Sequence, residues 1–220
     1  MGMIALDRGQ IVRNSSTPSE PWHTQREAMH WYGGAADFAL DALAHGTGKC
    51  LVIGSPVFEA EELKALGWDV TYLDCRPAPL PNSVLADATA RLPFADGYFD
   101  AVSTTCVLCH AGLGRYGDQR IQNADSLILA QMFRVLRNGG IAAVTFGPVA
   151  EILEPVYELG SVHRVYSHEH ARAIAVAAGF AVTASKVWDT RGSRWRGSGE
   201  PINVDLSVLP DYLSISLLRI

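Results

Sequence analysis

Between residues 49 and 74 the apolar pattern changes period twice, and no other feature restricts the fold of this chain so strongly. KCLVIGS (49–55) is a short continuous apolar run, FEAEELKALG (58–67) shows helical spacing closed by a glycine, and WDVTYLD (68–74) is a second strand-like run. A strand covered on both faces reads as an almost unbroken apolar stretch. The segment is therefore a β-α-β unit, which brings with it a parallel sheet and a right-handed crossover.

The alternation continues downstream. SVLAD (83–87) and FDAVSTTCVL (99–108) are predicted as strands three and four. Ile121, Ala124, Ile128, Met132 and Val135 recur at steps of 3, 4, 4 and 3, which makes one helical face that can cover the sheet. Asn138-Gly139-Gly140 should stop that helix, and IAAVTFG (141–147) is predicted as strand five. Ser167 suits the N-cap of a helix running to Ala178, with Gly179 behind it and the strand FAVTASKVWD (180–189) next. The terminal YLSISLLRI alternates and has no helix after it, so it should enter the sheet antiparallel. Upstream, Trp22 to Ala44 carries helical spacing broken at Gly33-Gly34. The expected organisation is one α/β domain over 47–220, preceded by a helical segment at 1–46 that either covers a pocket or packs on the sheet edge.

Composition narrows the class of partner. Lys plus Arg is 18 against 23 for Asp plus Glu, a net charge of −5 with no long block of like charge, so no nucleic-acid or membrane surface is expected. Charged residues interrupt every apolar stretch before it reaches the ~18 residues of a membrane helix. The opening MGMIALDRGQ has neither the basic start nor the apolar core of an export signal, so a cytoplasmic setting with four unpaired cysteines is expected.

CVLCH (106–110) matches the attachment pattern of c-type haem. Haem attachment needs export, and the pattern ends a strand rather than opening a helix, which also disfavours a thioredoxin-type dithiol. Cys50 and Cys75 stand singly and give no four-ligand zinc spacing. No metal is expected, and Cys106 and Cys109 read as small apolar wall residues.

Ligands in open α/β sheets bind beyond the carboxyl ends of the strands, so the strand tips come first. Strand one ends at Gly54-Ser55. Strand two ends at Asp74, about 20 residues on, where an acid meets the ribose hydroxyls of an adenosine ligand; the alternative is an acid that only caps a loop. Strand three ends at Asp87-Ala88, placed either to accept from an adenine amino group or to shape a turn.

LADATARLPFADGYFDAV followed by MFRVLRNGGIAAV resembles the downstream half of the class I S-adenosylmethionine (SAM)-dependent methyltransferases over about residues 47–190. That resemblance implies a Rossmann-like, mostly parallel seven-stranded sheet of order 3-2-1-4-5-7-6 with helices on both faces. It implies SAM as cofactor, S-adenosylhomocysteine as product, and methyl transfer to a small-molecule acceptor, with O-methylation expected. Gly54, Ser55, Asp74, Cys75, Asp87, Ala88, Thr104, Thr105 and Cys106 would hold the cofactor. GSPVFE, GLGRYGD and VHRVYS are also similar to a little-characterised family related to those enzymes. The first glycine motif departs from the pattern: Val52 stands at the place of the usual acid, and Pro56 and Phe58 stand where further glycines would fall.

The remaining expectations concern the acceptor. His110, with an ordinary pKa of about 6.5, and His163 are the candidate bases for the proton released on methyl transfer. Each has a structural alternative as a hydrogen-bonded core or loop histidine. Arg115, Tyr116, Arg164, Tyr166 and Trp22 are the candidate substrate contacts, Arg115 suiting a carboxylate or phosphate unless it pairs with Asp118. His168 and His170 read as surface residues. Arg191, Arg194 and Arg196 suit an anionic substrate or a second subunit, the latter giving a homodimer. Two competing functions follow from the degraded glycine run: a methyltransferase-like binding module without catalysis, and an NAD(P)-dependent oxidoreductase, which lacks its G-x-G-x-x-G context here.

Overall fold

The computed structural model describes residues 33–114, 116, 118–149, 156–159, 163–189, 194–196 and 211–220. The elements run α1 (Gly33–Ala42), β1 (Gly48–Ile53), α2 (Val57–Ala65), β2 (Trp68–Asp74), β3 (Val84–Leu85), β4 (Phe99–Thr105), α3 (Ala124–Val135), β5 (Leu136–Val149), β6 (Val156–Leu159), β7 (His163–Tyr166), α4 (His168–Ala177), β8 (Phe180–Asp189), β9 (Arg194–Arg196) and β10 (Asp211–Arg219).

The sheet has the main path β3-β2-β1-β4-β5-β10-β8-β9. β1 pairs in parallel with β2 and β4, β4 with β5, and β2 with β3, while β10 runs antiparallel between β5 and β8. With β10 as the seventh expected strand and β8 as the sixth, the order 3-2-1-4-5-7-6 is borne out. Three strands come in addition. β9 extends the far edge against β8, and the β6/β7 hairpin joins β5 through the single pair Val149–Tyr166.

Side chains alternate across the sheet and build one core on each face. Leu51 and Ile53 of β1 join Leu73, Phe99 and Val102 under α3 and α4, which contribute Ile128, Leu129, Met132, Ala171 and Ala175. Cys50 and Val52, one residue out of phase, join Tyr72, Ala101 and Ala143 under α1 and α2, which contribute Ala39, Ala60 and Leu63. Losing a fully buried Leu51 side chain would cost about 2–5 kcal/mol. α1 packs against β4, β5, β10 and α2, so it belongs to this body; residues 1–32, including Trp22 and the rest of the expected cover, lie outside the described residues.

Two boundaries differ from expectation, for local reasons. β4 stops at Thr105 rather than Leu108 because Cys106 takes φ 59°, a left-handed conformation that turns the chain out of the sheet. β3 shrinks to Val84–Leu85, since Asp87 folds its own turn by accepting from Thr89 N at 2.8 Å and Thr89 Oγ1 at 2.7 Å. The helix cap is as expected: Ser167 Oγ accepts from His170 N at 3.1 Å.

Candidate functional site

Beyond the carboxyl ends of β1, β2 and β4 lies a cleft walled by the residues that follow each strand. The strand order fixes what stands beside what. Asp87 and Ala88 follow β3, Asp74 ends β2, Gly54 and Ser55 follow β1, and Thr105, Cys106 and His110 lie at and after the end of β4.

Asp74 is 6% exposed, and its Oδ1 accepts from Arg76 N at 2.8 Å, with Arg76 Nε at 3.4 Å. Its Oδ2 is turned toward the tip of β1, since a Cβ placed on Gly54 would sit 3.8 Å from it. Gly54 itself is at φ 58° and carries Val107 directly above: that same Cβ would lie 2.9 Å from Val107 Cγ2. Glycine is thus required both for backbone angle and for the packing of Val107.

Ser55 is 1% exposed, and its hydroxyl brackets two strands, accepting from Thr105 N at 2.8 Å. Tyr72 Oη donates to the Ser55 carbonyl. Below this bracket sits Glu59 of α2, completely buried, with Ser103 Oγ donating to its Oε1 at 2.6 Å. Burial pushes the Glu59 carboxyl above its ordinary value, against the opposing effect of the Ser103 hydroxyl bonded to it. Glu59 Oε2 and Thr105 Oγ1, on neighbouring side chains, both lack a hydrogen-bond partner among the described residues. A neutral carboxyl carries a hydrogen that can serve such an acceptor. Glu59 does not line the cleft, so it braces the strands from beneath rather than supplying the acid absent at Val52, and helical periodicity alone gives no sign that it points into the sheet.

A line of rings starts at the cleft, which Arg76, Tyr116 and His110 line, and continues to His163, which does not line it. The Arg76 guanidinium lies 4.7 Å from the Tyr116 ring centre, Tyr116 stands edge-on to His110 at 6.0 Å, and His110 meets His163 at 4.4 Å. Asp118 shapes the loop by accepting from Gly112 N at 2.6 Å and Tyr116 N at 3.1 Å. Arg115, between them, lies outside the described residues, as does the Arg191 candidate.

Several expected contacts have other employment. Thr104 does not line the cleft: its side chain is on the opposite face from Thr105, and its hydroxyl donates to Ile53 O at 3.1 Å. Arg164 is 1% exposed, and its guanidinium donates to the carbonyls of Leu108, Ala111 and Ile121, so it ties down the loop after β4 rather than meeting a substrate. Tyr166 is also buried, with Oη 3.1 Å from both Leu108 O and Asp125 Oδ2. His168 and His170 are half-buried rather than free on the surface; His168 Nε2 lies 2.7 Å from Ser185 Oγ, and His170 stacks on Tyr166.

Cys106 lines the cleft, with its thiol pushed well up by burial, as suits a wall residue. Cys75 lies beside Asp74 on the cleft wall. Cys109 is fully buried, donates from Sγ to Cys106 O at 3.3 Å, and occupies the space left by the missing side chain of Gly147.

Residues 51–144 match the family model described as a methyltransferase domain. No curated protein sequence matches the chain significantly. Among solved structures, a Burkholderia thailandensis 1,6-didemethyltoxoflavin-N1-methyltransferase with bound 1,6-didemethyltoxoflavin and S-adenosylhomocysteine superposes with TM-score 0.62 at 15% identity, over 86% of this chain and 78% of that one. A geranyl diphosphate methyltransferase in complex with SAM gives 0.60 at 13%, over 85% of each chain. The [4+2]-cyclase SpnF gives 0.56 at 16%, over 81% of this chain and 68% of that one. The expected fold is thereby borne out. The same architecture also hosts a cyclase, so the chemistry must be argued from this chain's own cleft.

Proposed function

We propose that this chain, whose residues 51–144 match the model of a methyltransferase domain, transfers a methyl group from SAM to a hydroxyl of a small-molecule acceptor. The observation that carries the reading is the placement of Asp74: a nearly buried carboxylate at the end of β2, facing the glycine that follows β1, in the wall of the cleft at the strand tips. An acid there is suited to the paired hydroxyls of a ribose. Solved structures of the same fold, from the toxoflavin-type and geranyl diphosphate enzymes, hold SAM or its product, which supports the assignment.

Following the strand order, Asp87, Ala88 and Thr89 flank the adenine, Asp74 and Cys75 the ribose, and Gly54, Ser55, Thr105 and Cys106 the methionine portion. Glu59, through Ser103 and the Ser55–Thr105 bracket, keeps the tips of β1 and β4 in register beneath that portion. When bound, SAM supplies an electrophilic methyl on sulfonium sulfur. The protein's share is alignment and exclusion of water: an acceptor held by Tyr116 and the wall of the loop after β4 places its oxygen in line, with His110 and His163 within reach of the proton it gives up.

Val107 packed over Gly54 favours a second reading, a protein of methyltransferase fold that binds a ligand without transferring a methyl group. Calorimetric titration with SAM, S-adenosylhomocysteine and NAD separates the two. Micromolar binding of the first two and none of NAD supports methyl transfer, silence for all three supports the non-catalytic module, and NAD binding alone identifies an oxidoreductase.

A further inference from the structure

We propose that Cys109, His110 and His163 form a binding site for one zinc-class divalent ion at the acceptor end of the cleft. Cys109 Sγ and one ring nitrogen of each histidine all lie within 4.8 Å of one another. Four-coordinate zinc, with bonds of about 2.3 Å to sulfur and 2.0–2.1 Å to nitrogen, needs one sulfur and two nitrogen donors about 3.3–3.6 Å apart. The two rings already meet at 4.4 Å between centroids with a 50° tilt, so small side-chain rotations bring the donors to that spacing.

The frame around the cluster is built and rigid. Arg164 N donates to Cys109 O at 2.7 Å, linking the strand that carries His163 to the segment that carries the other two donors. The Arg164 guanidinium then fixes the same segment through three carbonyls. Gly147 leaves the space that Cys109 Sγ fills, for a Cβ there would come within 2.5 Å of it. A thiolate with two imidazoles selects zinc or its neighbours over magnesium and calcium, which prefer all-oxygen shells.

Three protein donors leave a fourth position open, the pattern of catalytic rather than structural zinc sites. His110 lines the cleft while Cys109 is sealed behind it, so the open position is on the cleft side. Zinc with one thiolate and two neutral imidazoles carries net charge +1, which favours an anionic fourth ligand. The ion is thus suited to the acceptor itself, a role that rests on the methyl-transfer reading above. With the ion bound, His110 and His163 act as ligands in place of the proton-accepting role given above: on coordination the acceptor hydroxyl releases its proton to solvent, and the oxygen–methyl bond then forms as the sulfur–methyl bond breaks, its electron pair returning to sulfur. CVLCH, neither a haem nor a dithiol motif, supplies two of the three donors.

The test uses the full chain stripped of metal by chelation and titrated with Co(II), a spectroscopic substitute for Zn(II), with S-adenosylhomocysteine binding measured in parallel. The expected result is one equivalent of tight cobalt with a thiolate-to-cobalt charge-transfer band, displaced by Zn(II). Cys109→Ser removes the band, His163→Ala weakens cobalt binding at least tenfold, and Cys50→Ala, in the core on the other face of the sheet, retains both. Unchanged S-adenosylhomocysteine affinity in the variants shows that they are folded. Cobalt uptake absent in the parent protein, or a band that survives Cys109→Ser, overturns the site. Cobalt bound with no affinity for S-adenosylhomocysteine supports the ion site and overturns the methyl-transfer reading instead.

Discussion

His110 and His163 meet ring to ring at 4.4 Å although they belong to different parts of the chain, one after β4 and the other opening β7. Arg164, next to His163, makes that meeting possible by crossing over to hold the loop that carries His110. The buried cation is used as a clamp, and His110, which lines the cleft, is held against His163.

Replacing Arg164 therefore has a structural rather than a substrate-binding signature. Arg164→Met leaves three carbonyls short of a donor and should lower stability by roughly 3 kcal/mol or more, read as a fall in melting temperature. Tyr116→Ala, which removes a ring from the cleft wall, should instead raise KM for the acceptor with little change in melting temperature.

Asp74 is the anchor of the cofactor reading. Asp74→Asn removes a charged acceptor of two hydroxyl hydrogen bonds, a loss of about 1.5–3 kcal/mol, so S-adenosylhomocysteine affinity should fall roughly 10- to 150-fold by calorimetry. An affinity within twofold of the parent would place the ribose elsewhere.

Gly54→Ala forces a side chain into φ 58° and against Val107. A cost of about 1–3 kcal/mol is expected from the backbone alone. Adding Val107→Ala should restore only the share of stability lost to the steric contact, measured by chemical unfolding of the single and double variants.

Glu59 gives a prediction with a pH sign. Its folded-state pKa is raised above the ordinary 4.5 by burial. The native protein thus holds the proton after the unfolded chain has released it. The Glu59 contribution is present in full below about pH 4.5 and declines as pH rises toward the folded-state value. Glu59→Gln, which cannot ionise, should match the parent at low pH and gain on it as pH rises. Melting temperatures of both proteins from about pH 4 to 9 check this; parallel curves would mean that the carboxyl is ionised in place.

The β-α-β unit, the strand order and the Asp74 and Gly54 positions were legible because periodicity and turn chemistry are local. What escaped was set by tertiary packing. Glu59 lies in a helical segment whose charges resemble a solvated face, yet it points into the sheet. Arg164 and Tyr166 resembled substrate contacts because a polar residue in a long connection reads as exposed, and only the fold shows them buried against the segment after β4. Thr104 and Thr105 are indistinguishable in sequence, and the pleat sends one to the cleft and the other to the carbonyl of Ile53. The end of β4 was missed because a non-glycine left-handed residue, Cys106, has no sequence signature.

The most direct measurement is a crystal structure of the protein grown with S-adenosylhomocysteine. The account predicts the ligand across the tips of β2, β1 and β4, with the Asp74 carboxylate accepting from both ribose hydroxyls at about 2.5–2.8 Å. A carboxylate still held by Arg76 alone, with Val107 and Pro56 filling the space beside Gly54 and the ligand elsewhere or absent, would contradict it.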